Sequence, residues 1–207
     1  METSQDLVNA MKELFIVRDD CYPKQLKGVN EYTVVKEGFS DEIITRHIQG
    51  MITVGSFQID PKTNKVKWIC FDFDGDLEAE LKKSKTLYQR LKERGYSPLL
   101  EFSGRRGYHI WLFVEPVDAS VAKMFAQQAA EGIQVSEIFP KQDKISENEF
   151  GGQVKLPLGL HRVSYKRSYF FDDNFEKLPS KDSEMFLLDV FSKRKNMIKM
   201  KNMYDFI

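Results

Sequence analysis

Cysteine is nearly absent from this chain. Only Cys21 and Cys70 occur in 207 residues, and they stand in no metal-ligand spacing. That excludes a disulfide scaffold and a zinc finger, and it indicates a reducing compartment, taken as the cytoplasm. Long apolar runs are missing too. No window approaches the roughly 18 residues that a membrane helix needs. The start, METSQDLVNAMKELF, has no basic segment followed by an apolar core, so no secretory signal is expected. Charge of one sign is also lacking, because 31 Lys and Arg balance 31 Asp and Glu. A nucleic-acid partner would have to be held by a local basic patch, not by the global field. There is no internal repeat and no low-complexity segment.

What is present fits an ordinary globular protein, with 42% hydrophobic and 30% charged residues. The length suits one sizeable domain or two small ones. Ser4 can cap a helix through about Phe15, and Ser40 a second one that ends at Gly50. His47 lies on the apolar stripe of that second helix, as a satisfied core histidine. MITVGSFQI and KVKWICFDFD are strand-like and flank the turn residues DPKTN, so they are expected to pair as a hairpin. Leu77 to about Arg94 is helical, with Leu77, Leu81, Tyr88 and Leu91 on one side. SPLLEFS and GYHIWLFVE are strands separated by GRRG. Asp118 is expected to cap a helix with Val121, Met124, Phe125 and Ala129 inward. IQVSEIF, GGQVKLPLG and RSYFFDD give short strands, and a helix from about Ser183 follows. Interleaved strands and helices with hairpins predict an α+β fold with a mixed or antiparallel sheet. The end at YDFI is either a true terminus or the cut end of a domain from a longer protein.

Three regions carry chemistry. In WICFDFDGDLEAE, Asp72 and Asp74 are two residues apart on a strand, so both carboxylates project from one face about 7 Å apart. Like charges that close repel unless a cation sits between them. Mg²⁺ or Mn²⁺ suits carboxylate oxygens, and a pair of such ions can clamp the attacking and leaving oxygens of a phosphoryl or nucleotidyl transfer. The plain alternative is that these aspartates end a strand and cap the next helix, a role assigned here to Asp76.

The second region is LLEFSGRRGYHIWLFVE. Gly104 and Gly107 let backbone N–H groups approach an anion, and Arg105 and Arg106 add fork-shaped donors suited to phosphate. Ser103 and His109 add side-chain donors on the same side. The third region is VSEIFPKQD followed by GGQVKLPLGLHR. Glu137 is an acid among apolar neighbours, a setting in which acids are paired or liganded. Lys155 is similarly out of place in its strand unless that strand is a water-facing edge, and His161 follows. Basic patches occur at HRVSYKR and in the tail, at Lys193, Arg194, Lys195, Lys199 and Lys201. For the tail alone a solvated face is favoured.

In this order and spacing, over about residues 66 to 170, the three regions resemble the archaeo-eukaryotic primase superfamily. Within it they are most similar to primase-polymerases linked to defence systems, CRISPR-associated ones included. FDFD looks like its D-x-D metal motif, SGRRGYHIW like its triphosphate-binding serine-to-histidine motif, and the acid of SEIFP like its third metal acid. The resemblance implies a catalytic core with an RNA-recognition-like sheet flanked by helices, preceded by N-terminal α/β elements. It implies a DNA primase/polymerase that adds nucleotides to a 3′-hydroxyl by two-metal-ion catalysis, with or without de novo primer synthesis. Asp72, Asp74 and Glu137 would hold two Mg²⁺ or Mn²⁺. Ser103, Arg105, His109, Lys155 and His161 would grip the triphosphate of a dNTP or NTP. Arg106, Arg162, Lys166 and Arg167 would meet the template or primer backbone. Residues 1–207 would form one catalytic domain: an N-terminal subregion to about 60, the core over about 61–180, and a basic helix over about 181–207. Its partners would be DNA template and primer, with other domains or defence-system proteins, and no membrane.

Two competing expectations remain. FDFDGDL also resembles the nucleophile motif of haloacid dehalogenase-like phosphatases. That family would recruit Lys155 and the pair Asp172 and Asp173, but it leaves Ser103 to His109 without a role. A non-catalytic single-strand-binding module could use exposed aromatics and arginines, although three carboxylates oppose a phosphate backbone.

Overall fold

Apolar alternation organises the molecule around the strands that carry Asp72 and His109. The computed structural model describes residues 3–193 and Met203. Its first elements are α1 (Gln5–Phe15), β1 (Tyr22–Gln25), β2 (Tyr32–Val35), α2 (Asp41–Ile48), β3 (Gly55–Phe57) and β4 (Lys65–Asp74). Then come α3 (Leu77–Glu93), β5 (Leu99–Phe102), β6 (Gly107–Asp118) and α4 (Ala119–Ala129). The chain continues through β7 (Glu137–Phe139), β8 (Gln153–Lys155), β9 (Tyr169–Phe170) and α5 (Ser180–Ser192). The basic tail from Arg194, including Lys195, Lys199 and Lys201, lies outside the described residues.

Five strands form an antiparallel sheet in the order β7-β4-β6-β5-β9. The fold is α+β, as the pattern predicts. Side chains alternate across a strand. On β4, Ile69, Phe71 and Phe73 face one core, formed with α3 and α4, and Trp68 and Cys70 face the other. The second core holds α1, part of α2, Val54 just before β3, and Val154 of β8. There Phe15 meets Trp111 edge-on at 5.0 Å, and Trp68 Nε1 donates to the Phe15 carbonyl at 2.8 Å. Each such aromatic pair adds about 0.5–1.5 kcal/mol beyond its burial. Asp72 and Asp74 share the parity of Trp68 and Cys70, so they lie at the end of this second face.

Helix starts are set by local chemistry. Ser4, Ser40 and Asp76 accept from backbone N–H groups at Leu7, Ile43 and Ala79, and so cap α1, α2 and α3. Asp118 makes no such bond. The first N–H of α4, at Ala119, instead donates to the Asn64 carbonyl at 2.9 Å. Leu77 and Met124, expected inward, are 37% and 50% exposed.

The expected hairpin between MITVGSFQI and KVKWICFDFD does not form. β4 pairs with β6 along its length and with β7 only at Cys70–Asp72. β3 pairs antiparallel with β8 instead, Gly55 opposite Lys155 and Phe57 opposite Gln153. A separate hairpin of β1 and β2, which the pattern did not indicate, leans on this pair through a bridge from Lys24 to Val54.

Candidate functional site

The three predicted acids come from two adjacent strands. Asp72 and Asp74 end β4, and Glu137 opens β7 directly opposite Asp72. Ser136 ties the two ends together. Its N–H donates to the Asp72 carbonyl at 2.9 Å, and its hydroxyl accepts from the Asp74 N–H at 2.9 Å. Asp72 also lies opposite His109 on β6, which lies opposite Glu101 on β5. Register alone therefore sets Glu137, Asp72, His109 and Glu101 in a row across one face.

All three acids line an open cavity of about 490 Å³, together with Ser103, Arg105, Arg106, His109, Lys155 and His161. Lys155 reaches the cavity from β8, in the other sheet, and His161 from the loop that follows. Asn30 and Tyr32, from the β1–β2 hairpin, close another side.

The charges are arranged in pairs. Asp74 is held by Arg106 through two hydrogen bonds of 3.0 and 2.9 Å. Glu137 accepts from Lys141 at 2.6 Å. Asp72 lies 3.7 Å from His109 Nε2. Burial pushes the Asp72 carboxyl up, and the neighbouring Asp74 and Glu137 add to this while His109 opposes it. Among the described residues, no group of three or more His, Cys, Asp or Glu stands close enough to hold a metal ion with the side chains so oriented. The donor set nevertheless suits a hard divalent cation: three carboxylates on one face, with two already matched by monovalent side-chain cations.

Behind this face lies a buried network. Lys155 is only 5% exposed, which removes the alternative that it faces water on an edge strand. Its Nζ donates to the Leu156 carbonyl at 2.7 Å and lies 3.6 Å from Glu101 Oε1. Burial lowers its pKa against the pull of Glu101. For His109 burial also acts downward, but Glu101 and then Asp72 outweigh it and the net shift is upward. His161 is pushed down to about 4 by burial, with Lys155 and Arg105 adding to the effect.

The SGRRG turn joins β5 to β6. Ser103 Oγ donates to the Gly107 carbonyl at 2.9 Å. Gly104 has φ of +99°, and a Cβ there would stand 3.0 Å from the Lys166 carbonyl. Glycine thus allows the loop carrying His161 to pack on the turn. Arg105 makes no hydrogen bond or ion pair among the described residues.

Two predicted nucleic-acid contacts have other work. Arg162 donates to Thr53 Oγ1 at 3.0 Å and to the Gly50 carbonyl at 2.9 Å. Arg167 donates to the carbonyls of Ile48 and Leu158. Both guanidinium groups fasten the His161 loop to the end of α2, and neither enters the cavity. Lys166 is exposed, in a neighbouring groove with Tyr169 and Lys177. Asp172 and Asp173, which the phosphatase alternative needs, do not line the cavity. Asp173 is bound by the Tyr88 hydroxyl at 2.5 Å and by Lys92 at 3.1 Å.

Sequence reasoning missed Glu101, Ser136, Asn30 and Tyr32. A signal existed for Glu101, an acid in the apolar strand LLEF, of the kind that singled out Glu137. Nothing local marks the other three.

A family model described as the archaeo-eukaryotic primase domain of TOTE conflict systems matches residues 36–200. No curated protein matches. Among solved structures, the chain is similar to the primase domain of the cyanophage S-2L primase-polymerase. Identity there is 12%, coverage 89% of this chain and 98% of that one, and the TM-score 0.48. It is similar to the catalytic domain of primase RepB′ in complex with initiator DNA, at 9% identity, covering 93% and 96%, TM-score 0.45. It is also similar to the polymerase domain of Mycobacterium tuberculosis ligase D in complex with DNA, at 14% identity, covering 91% and 87%, TM-score 0.43.

Proposed function

The chain belongs to the archaeo-eukaryotic primase domain family of TOTE conflict systems, and from that premise we propose that it is a template-dependent nucleotidyltransferase that extends a 3′-hydroxyl with dNTPs or NTPs. Residues 1–207 act as one catalytic unit in this reading. The observation that carries it is the single cavity in which three carboxylates face a serine, an arginine, a histidine and a buried lysine.

Asp72, Asp74 and Glu137 present hard oxygen donors to two divalent cations, Mg²⁺ or Mn²⁺. Bound there, such cations supply Lewis acidity toward the attacking hydroxyl and neutralise charge on the leaving pyrophosphate. The chain's own residues do the positioning. Arg106 yields Asp74 when a stronger cation competes for it. Arg105, which makes no hydrogen bond or ion pair among the described residues, and Ser103 meet the triphosphate at the β5–β6 turn. His109, Lys155 and His161, all buried, face it from the cavity wall. In the reaction the 3′-oxygen bonds to the α-phosphorus, the bond to the β-phosphate breaks, and pyrophosphate leaves. Catalysis is then largely positioning and charge stabilisation. Arg106 and Lys166 are the cations left for the nucleic-acid backbone.

The test is extension of a labelled primer on a template, with each nucleotide set and with Mg²⁺ and Mn²⁺ compared. Asp72→Ala with Asp74→Ala should abolish extension while the circular dichroism spectrum stays native. Full extension by that double variant would falsify the assignment. Steady phosphate release from a simple phosphomonoester would favour the phosphatase, and metal-independent strand binding without extension the binding module.

A further inference from the structure

Glu101 is a fully buried carboxylate that the proposed chemistry does not touch. An ionised carboxylate in a core survives only with partners. Oε2 of Glu101 accepts from His109 Nδ1 at 3.0 Å and from Trp111 Nε1 at 2.8 Å. Oε1 has no hydrogen-bond partner and faces Lys155 Nζ at 3.6 Å. Because Glu101 and His109 are register partners, the first bond is built into the β5–β6 pairing. It leaves the other ring nitrogen, Nε2, toward Asp72 and the cavity. The carboxylate thus joins two side chains from two sheets, His109 on β6 and Lys155 on β8, beneath one cavity.

A purely stabilising role explains this arrangement poorly. Apolar residues of similar volume often fill a core at equal or lower cost than a buried ion pair. A histidine ring, by contrast, needs an acceptor on one nitrogen to fix its tautomer and orientation. Trp111 adds a further constraint. Its ring packs between Phe15 and Trp68, and its N–H holds Oε2 on the side of the His109 ring.

We propose that Glu101 is a positioning residue of the nucleotide site, which fixes His109 with a proton on Nδ1, aims Nε2 into the cavity and anchors Lys155 at its wall. The proposal rests on the nucleotidyltransferase reading of that cavity.

Long-range ¹H–¹⁵N spectra of the histidine side chains in the wild-type protein test the first part. His109, assigned by loss of its signals in His109→Gln, should carry a proton on Nδ1, and that signal should move in Glu101→Gln. A wild-type His109 with a bare Nδ1 overturns the proposal, whether or not any variant folds. The second part is read by calorimetry with inorganic tripolyphosphate in EDTA, which needs neither metal nor turnover. Glu101→Gln should bind about tenfold more weakly or worse, as misplaced groups do. If the single variant does not fold, Glu101→Gln with Lys155→Met, compared with Lys155→Met alone, removes the unbalanced buried charge and should show the same loss. Unchanged affinity in the folded variant overturns the proposal. Primer extension by the wild type separates the two claims. Extension with unchanged tripolyphosphate affinity removes only the role of Glu101. No extension, with the Nδ1 proton and the affinity loss present, removes only the polymerase.

Discussion

Arg106 grips Asp74 with both arms of its guanidinium, Nε on Oδ1 and a terminal nitrogen on Oδ2. The pair is 57% and 39% exposed on its two sides, so solvent screens it and it holds Asp74 only weakly. A divalent cation displaces so weak a partner readily. Arg106→Ala should therefore raise Mn²⁺ affinity modestly. It should also flatten the salt dependence of DNA binding by about one unit of slope. Calorimetry and binding isotherms across salt check both, and unchanged Mn²⁺ affinity would remove Arg106 as a competitor for Asp74.

Asp72→Asn should separate stability from activity. Burial holds this carboxyl above its ordinary pKa. A raised folded-state pKa favours folding below the unfolded value, near 3.9, and the benefit is lost as pH rises through the folded value. The carboxylate form of Asp72 is thus a cost to the fold, one that a bound cation relieves. Without metal, Asp72→Asn should be more stable by on the order of 1 kcal/mol, with extension abolished. Thermal melting in EDTA decides this, and a lower midpoint for the variant would contradict it.

Acid should weaken the fold through His47. This ring is fully buried; Nδ1 accepts from the Val54 N–H at 3.1 Å, and Nε2 faces the Pro157 carbonyl at 3.0 Å. Burial pushes its pKa down to about 3. The unfolded chain takes up the proton near 6.5 and the folded one only near 3, so stability is present above about pH 6.5 and drains away as pH falls toward 3. His161, shifted to about 4, acts in the same direction. Denaturant midpoints should decline from pH 7 to 5; a flat profile would mean that His47 is charged in the fold.

Gly159→Ala should disturb the site from outside it. A Cβ at Gly159 would run into the His47 ring, which is held on two sides and has no free end to swing away. The expected cost is about 1–3 kcal/mol, as for other overpacked cores. Because Gly159 lies two residues before His161, tripolyphosphate binding should weaken as well. Wild-type melting and binding in this variant would show that the loop yields freely.

The shared face of Asp72 and Asp74 and the position of the SGRRG turn were legible in the sequence because both are local. A two-residue spacing fixes the face that Asp72 and Asp74 share, and the glycines of SGRRG mark the turn. The rest depends on partners distant in the chain. Nothing near MITVGSFQI points to a partner almost a hundred residues on, so the Gly55–Lys155 pairing stayed hidden. Arg162 and Arg167 resembled a phosphate patch because basic residues give the same signal whether they meet a phosphate or a carbonyl. Only the fold shows that Thr53, Gly50, Ile48 and Leu158 had claimed them. Glu101 gave the same sign as Glu137, an acid in an apolar strand. Its three partners sit on two other strands.

The pairing of β3 with β8 also sets an order of assembly. β4 and β6 join residues 33 to 53 apart, from Asp74 and Gly107 to Lys65 and Asp118. β3 and β8 join residues nearly a hundred apart, such as Ser56 and Val154. Long closures are made late, because the chain loses more freedom before any contact rewards it. A chain still being synthesised can display its three carboxylates and the SGRRG turn while the wall bearing Lys155 has yet to emerge. The cavity is therefore among the last features to form, and until residue 155 is in place the growing chain presents an open strand end with no wall opposite it.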